Sequence, residues 1–150
     1  MSSGSKRITQ MDPSRFILCL KEFTESKHYD LDEVLIRRII SSLYFSLFNF
    51  WANKKYFLEN RRSRGPNQDC FSFIEFVKDM IAEDLDAEIK FLHTYRIASD
   101  HYALNPTVVK HEGRAEDVFG RREDVEINKR SLKKAINSAE AILNVLLKEK

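Results

Sequence analysis

Apolar residues recur every three to four positions through most of this chain, the spacing that lines one face of an α-helix. Phe16, Leu20 and Phe23 follow Asp12-Pro13, an N-cap acid with proline at the first helical position, and predict a helix over about residues 13–27. Asp30 or Asp32 caps a second helix. Its stripe is Val34, Leu35, Ile39, Leu43, Leu47, Phe50 and Trp51, widened by Ile36, Ile40, Tyr44 and Phe48, and it extends to about Leu58. A helix apolar on most of its sides belongs at the centre of a fold. The polar stretch 60–70, with its Gly-Pro step, predicts a loop. A third helix is expected over 71–83, with Phe73, Ile74, Val77, Met80 and Ile81 facing inward. A fourth follows over 85–102, with Leu85, Ile89, Leu92 and Tyr95 buried, and Asn105-Pro106 ends it. Residues 104–126 form a long connection, of a length usually functional or mobile, in which Ala115–Phe119 is a candidate helical turn. The last helix, about 127–148, carries Leu132, Ala135, Ile136, Ala139, Leu143 and Leu146. No internal repeat and no strand alternation stands out. The expected fold is all-α: an antiparallel bundle of four to five helices in one domain over 12–150, preceded by a flexible tail at 1–11.

Composition supports that picture and narrows the function. The chain has 150 residues, enough for one domain with a hydrophobic core of its own. Four glycines and three prolines disfavour a turn-rich β-sandwich, and eleven phenylalanines point to an aromatic core. The net charge of +2 is too small to argue for nucleic-acid binding by itself. The two cysteines, Cys19 and Cys70, have no metal-ligand spacing and sit beside apolar residues, so structural thiols in a reducing cytoplasm are expected. No apolar run approaches the roughly 20 residues that span a membrane. The opening residues lack the apolar core of a signal peptide.

The chemistry concentrates in His93-Thr94-Tyr95-Arg96-Ile97-Ala98-Ser99-Asp100-His101-Tyr102, at the end of the fourth helix. Residues three and four apart are helix neighbours, so Arg96 sits between His93 and Asp100. His101 lies about 140° round the axis from Arg96 at 100° per residue. An irregular helix end, or a second copy across a dimer axis, would bring the two together. Arginine binds phosphate bidentately, and histidine exchanges a proton near neutrality. The pair suffices for metal-free RNA cleavage, with Asp100 orienting an imidazole or holding Arg96. The plainer alternative is an ordinary i,i+4 ion pair between Arg96 and Asp100, with His101 well placed at a helix C-terminus.

The run Arg96-Ile97-Ala98-Ser99-Asp100-His101 resembles the R-x4-6-H motif of HEPN domains, small helical bundles found in many prokaryotic toxins and defence proteins. The helix Arg38–Asn49 is similar to the family's helix bearing an aromatic pair, and Asp100-His101-Tyr102 with Leu104-Asn105-Pro106 resembles how the motif helix ends in some members. The likeness extends in helix order and length over about 12–148. It implies ribonuclease roles for Arg96 and His101 in a cleft between two copies of the domain; beside them Asp100 is expected to orient or tune the pair, and His93 or Tyr102 to contribute to the pocket. It also implies a homodimer acting on RNA, with no cofactor. Ile97 stands where the family often has a polar residue. Some members bind only a nucleotide, or a nucleotidyltransferase antitoxin, and that is the alternative function.

A basic patch, Lys54, Lys55, Arg61, Arg62 and Arg64, is a candidate to hold RNA phosphates beside Trp51, Tyr56 and Phe57, or else a solvated loop. Metal binding is not expected. His93 and His101 are about 12 Å apart along a helix, and no zincin spacing occurs. No P-loop and no nucleophile elbow is present.

Overall fold

The computed structural model describes residues 12–26, 30–58, 66–80, 83–104 and 106–148. The expected tail at 1–11 lies outside them. The chain is an all-α bundle with one small sheet. Its elements are α1 (Pro13–Glu25), α2 (Glu33–Ala52), α3 (Pro66–Lys78), α4 (Asp86–His101), β1 (Val108–Lys110), α5 (Arg114–Phe119), β2 (Arg122–Asp124) and α6 (Lys129–Lys148). A π-helical turn over Asn53–Leu58 continues α2, as the sequence predicts.

Local chemistry sets the helix starts. Asp12 accepts the Ser14 N–H at 2.9 Å and Pro13 opens α1. Asp32 accepts the Leu35 N–H at 2.8 Å at the head of α2. Asn128 and Ser131 cap α6 reciprocally, each side chain accepting the other's backbone N–H at 2.9 Å.

Helix α2 lies at the centre, packed on α1, α3, α4 and α6. Ile40, Leu43, Tyr44 and Leu47 are completely buried there. Each such aliphatic side chain contributes about 2 kcal/mol of transfer free energy. Val34, expected inside, is exposed at the start of the helix. Aromatic rings from α2 and α3 interlock: Phe73 meets Tyr44, Phe48 and Trp51 at centroid distances of 5.8, 5.9 and 5.5 Å.

Three expectations change. Helix α3 begins at Pro66 rather than 71, because proline suits the first helical position and opens the helix that Gly-Pro seemed to interrupt. It ends at Lys78, and Ile81 lies outside the described residues. Residues 104–126 are not an irregular loop. They hold α5 between two antiparallel strands, with Val108 opposite Asp124 and Lys110 opposite Arg122. Strands of three residues, one of them Arg-Glu-Asp, are too short and too polar to show alternation. Cys19 is exposed on α1 rather than packed, and only Cys70 is partly buried. The β1–α5–β2 segment is anchored by buried Val109, Phe119 and Val125. The Tyr95 hydroxyl also accepts the Glu126 N–H at 3.0 Å.

Candidate functional site

The C-terminal end of α4 is held by a side chain from α2. The buried Arg37 guanidinium donates to the carbonyl oxygens of Ala98 and Ser99 at 3.0 Å each, of Ala103 at 3.2 Å, and of Tyr102. It also pairs with Glu33 at 3.0 Å. The last carbonyls of a helix have no intrahelical partner, and a charged, five-donor side chain satisfies several at once. Arg38 adds a bond to the Ser99 carbonyl at 2.9 Å. Arg38 and Ser41 also bind the two oxygens of Asp100, at 3.3 and 3.1 Å. Asp100 is thereby engaged with α2 and not with Arg96, so the i,i+4 pair expected from spacing does not form.

Arg96 instead lies across aromatic rings. Its guanidinium carbon is 5.0 Å from the Tyr44 ring centroid and 5.4 Å from that of Phe45. Such cation–π contacts hold a charge in place without neutralising it. The Arg96 Nε is buried and finds no acceptor in the protein.

Arg96 borders an open groove of about 860 Å³ between α4, α3 and the β1–α5 segment. His93, Ile97, Asp100 and His101 line it from α4. Lys110, His111, Glu112 and Arg114 line it from the other side, and Phe45, Cys70, Phe71 and Ile74 complete it. Arg114 stacks on Phe71 at 4.0 Å and pairs with Glu75 at 3.5 Å. The groove therefore carries three cations, Arg96, Lys110 and Arg114, the last of them paired with Glu75. Of its two carboxylates, Asp100 is offset by Arg38, which leaves Glu112.

The histidines of the groove differ sharply. His101 is exposed at the helix end. His93 is buried, its ring 5.9 Å from His111, 5.2 Å from Phe119 and 6.2 Å from Tyr44. Burial, with the nearby Arg96 charge and His111 adding to it, pushes His93 down to about 3, so it is neutral. Burial also lowers His111, with Lys90 adding and Glu123 opposing. The His111 Nε2 meets the Thr94 hydroxyl at 3.4 Å. Burial raises the Tyr44 hydroxyl, which stays protonated beneath the groove.

Of the residues singled out from sequence, Arg96, Asp100, His101 and His93 share the groove. Tyr102 does not line it, and its hydroxyl accepts the Lys110 N–H at 2.7 Å. Lys54 and Lys55 sit half-buried on the π-helical turn away from the groove. Arg61, Arg62 and Arg64 lie outside the described residues. Sequence reasoning did not place Arg37, Lys110, His111 and Arg114 in the site. Arg37 had a signal: it lies three positions before Ile40 and seven before Tyr44, on the buried stripe of α2, where a charge demands partners. The other three needed the path of the β1–α5–β2 segment.

Among the described residues no group of three or more His, Cys, Asp or Glu is placed to hold a metal ion. No helix there is long and apolar enough to cross a membrane. Fold and groove thus define a small all-α bundle with a basic, histidine-containing groove at the end of one helix. The chain matches no protein-family model, no curated protein and no solved structure.

Proposed function

We propose that this protein is a HEPN-like, metal-independent endoribonuclease that works in the groove at the end of α4. The observation that carries the reading is that Arg96 and His101 border the same open groove although they point about 140° apart on an ideal helix. Lys110 and Arg114 on the opposite wall supply further positive charge for a polynucleotide backbone.

In this reading Arg96 binds the scissile phosphate and stabilises the charge that builds on it. The imidazole of His101 removes the proton of the ribose 2′-hydroxyl. The 2′-oxygen attacks phosphorus, the bond to the 5′-oxygen breaks, and that oxygen takes up a proton. The products are a 2′,3′-cyclic phosphate and a 5′-hydroxyl. A second copy of the chain across the groove supplies the proton from its own imidazole, which makes a homodimer the working unit. His93 has no part in proton transfer, being buried and neutral. Asp100 acts on the helix end through Arg38 and Ser41 rather than on His101. Two thiols outside any disulfide fit a reducing cytoplasm.

The test is cleavage of labelled RNA in excess chelator. Arg96→Ala and His101→Ala each abolish cleavage and keep the helical circular-dichroism spectrum. Undiminished cutting by either variant overturns the assignment.

One observation favours a second reading. Asp100, the carboxylate next to His101 in the chain, is tied to Arg38 and Ser41 on α2 rather than to the His101 imidazole. The groove then binds a nucleotide, or a nucleotidyltransferase partner, without cutting. RNA bound but never cut, with binding lost in Arg96→Ala, selects that reading.

A further inference from the structure

Buried polar atoms without partners are few in native proteins, and each calls for a reason. Among the described residues four of them fall on three residues of one groove: Nδ1 and Nε2 of His93, Nε of Arg96, and Nδ1 of His111. His93 is 6% exposed and His111 4%. The cation–π stack accounts for the plane of Arg96 but leaves its Nε–H unsatisfied.

We propose that the buried wall of the groove is a nucleobase pocket, in which His93 and the Nε–H of Arg96 read the polar edge of one base. The inference rests on the reading of the groove as an RNA site and adds the source of its selectivity. A neutral imidazole offers one donor and one acceptor, and Arg96 Nε offers a further donor. That mixed set complements the edge of a base, which carries donors and acceptors side by side. The acceptor nitrogen of His93 does not suit a phosphate, whose oxygens only accept; the terminal nitrogens of Arg96, with the rim cations Lys110 and Arg114, serve that group. Phe45, Phe71 and Ile74 line the same groove and make its floor apolar. A groove of about 860 Å³ has room for a nucleotide. Seating the base requires the His111 imidazole to turn aside. That turn gives up its ring contacts with His93 at 5.9 Å and Phe119 at 5.6 Å and its long 3.4 Å contact with Thr94.

The experiment is calorimetric binding of the four nucleoside 3′-monophosphates, with ribose 5-phosphate as the base-free control. None contains a bond the protein would cut. One nucleotide is expected to bind about tenfold or more tighter than the weakest and than ribose 5-phosphate. His93→Phe removes that preference and leaves ribose 5-phosphate affinity unchanged. His93→Gln, which keeps a donor and an acceptor, retains binding with an altered order. The second variant also serves if His93→Phe does not fold. Equal binding of all four nucleotides at the level of ribose 5-phosphate overturns the pocket, as does a preference unchanged in both variants. The RNA reading is judged apart from this, by cleavage in chelator and its loss in Arg96→Ala. Cleavage without base preference retires the pocket alone; absence of both retires both.

Discussion

The Arg37 Nε donates to the Ser99 carbonyl at 3.0 Å, across 62 positions of the chain. That bond and its companions fix where α4 stops, and so where His101 leaves the helix. Arg37→Met strands several buried carbonyls and removes the ion pair with Glu33. A loss of about 3 kcal/mol or more is expected, read from the urea midpoint. Arg37→Lys keeps the charge but not the fork, and falls between Met and the parent. Arg38→Ala, at a side chain 58% exposed, costs less than about 1 kcal/mol. Equal losses at 37 and 38 would contradict the assigned difference in burial.

His93 sets a pH dependence. Folded, it binds a proton only near pH 3; unfolded, near its ordinary 6.5. Between those values the unfolded chain holds more protons, so stability falls as pH drops below 6.5 and is untouched by this group above it. The slope is about 1.4 kcal/mol per pH unit for one group. His111, lowered by burial too, acts in the same direction. His93→Phe is expected to flatten the decline between pH 6 and 4, measured by urea unfolding across that range. A decline of unchanged steepness in the variant would show that His93 titrates normally.

Tyr102 ties the end of α4 to β1 by accepting the Lys110 N–H at 2.7 Å. Tyr102→Phe removes the acceptor and leaves the ring. Hydrogen exchange at the Lys110 amide is expected to quicken about fivefold, the equivalent of roughly 1 kcal/mol, while amides of α2 keep their protection. An unchanged Lys110 rate would mean that the Tyr102 hydroxyl does not protect that amide.

Gly120 ends α5 at φ 92° and ψ 176°, a conformation that side chains resist. A Cβ there meets no atom within 4 Å, so the cost of substitution is backbone strain alone. Gly120→Ala is expected to lose about 1 to 3 kcal/mol in thermal or urea unfolding. A neutral outcome would require the turn to relax without moving Phe119.

Much of this architecture was legible from residue order. Asp12-Pro13 opened α1, the broad apolar stripe from Ile36 to Trp51 marked α2 as the central helix, and Leu132 to Leu146 traced the inner face of α6. Those signals are local: a cap, a period of 3.6, a side chain that must leave water. The strands β1 and β2 escaped notice because three residues carry no period, and each exists only by pairing with the other.

The candidate site divides along the same line. Sequence alone determined that Arg96, Asp100 and His101 stand together near a helix end, since neighbours on a helix need no tertiary information. Only the folded chain decided what each one does. It gave Asp100 to Arg38 and Ser41, laid Arg96 on Tyr44 and Phe45, and sealed His93 beneath His111 and Phe119. Those partners lie tens of residues away along the chain for Asp100 and Arg96. Which charge meets which is settled by packing, because a guanidinium or carboxylate takes the nearest geometry that replaces its lost water.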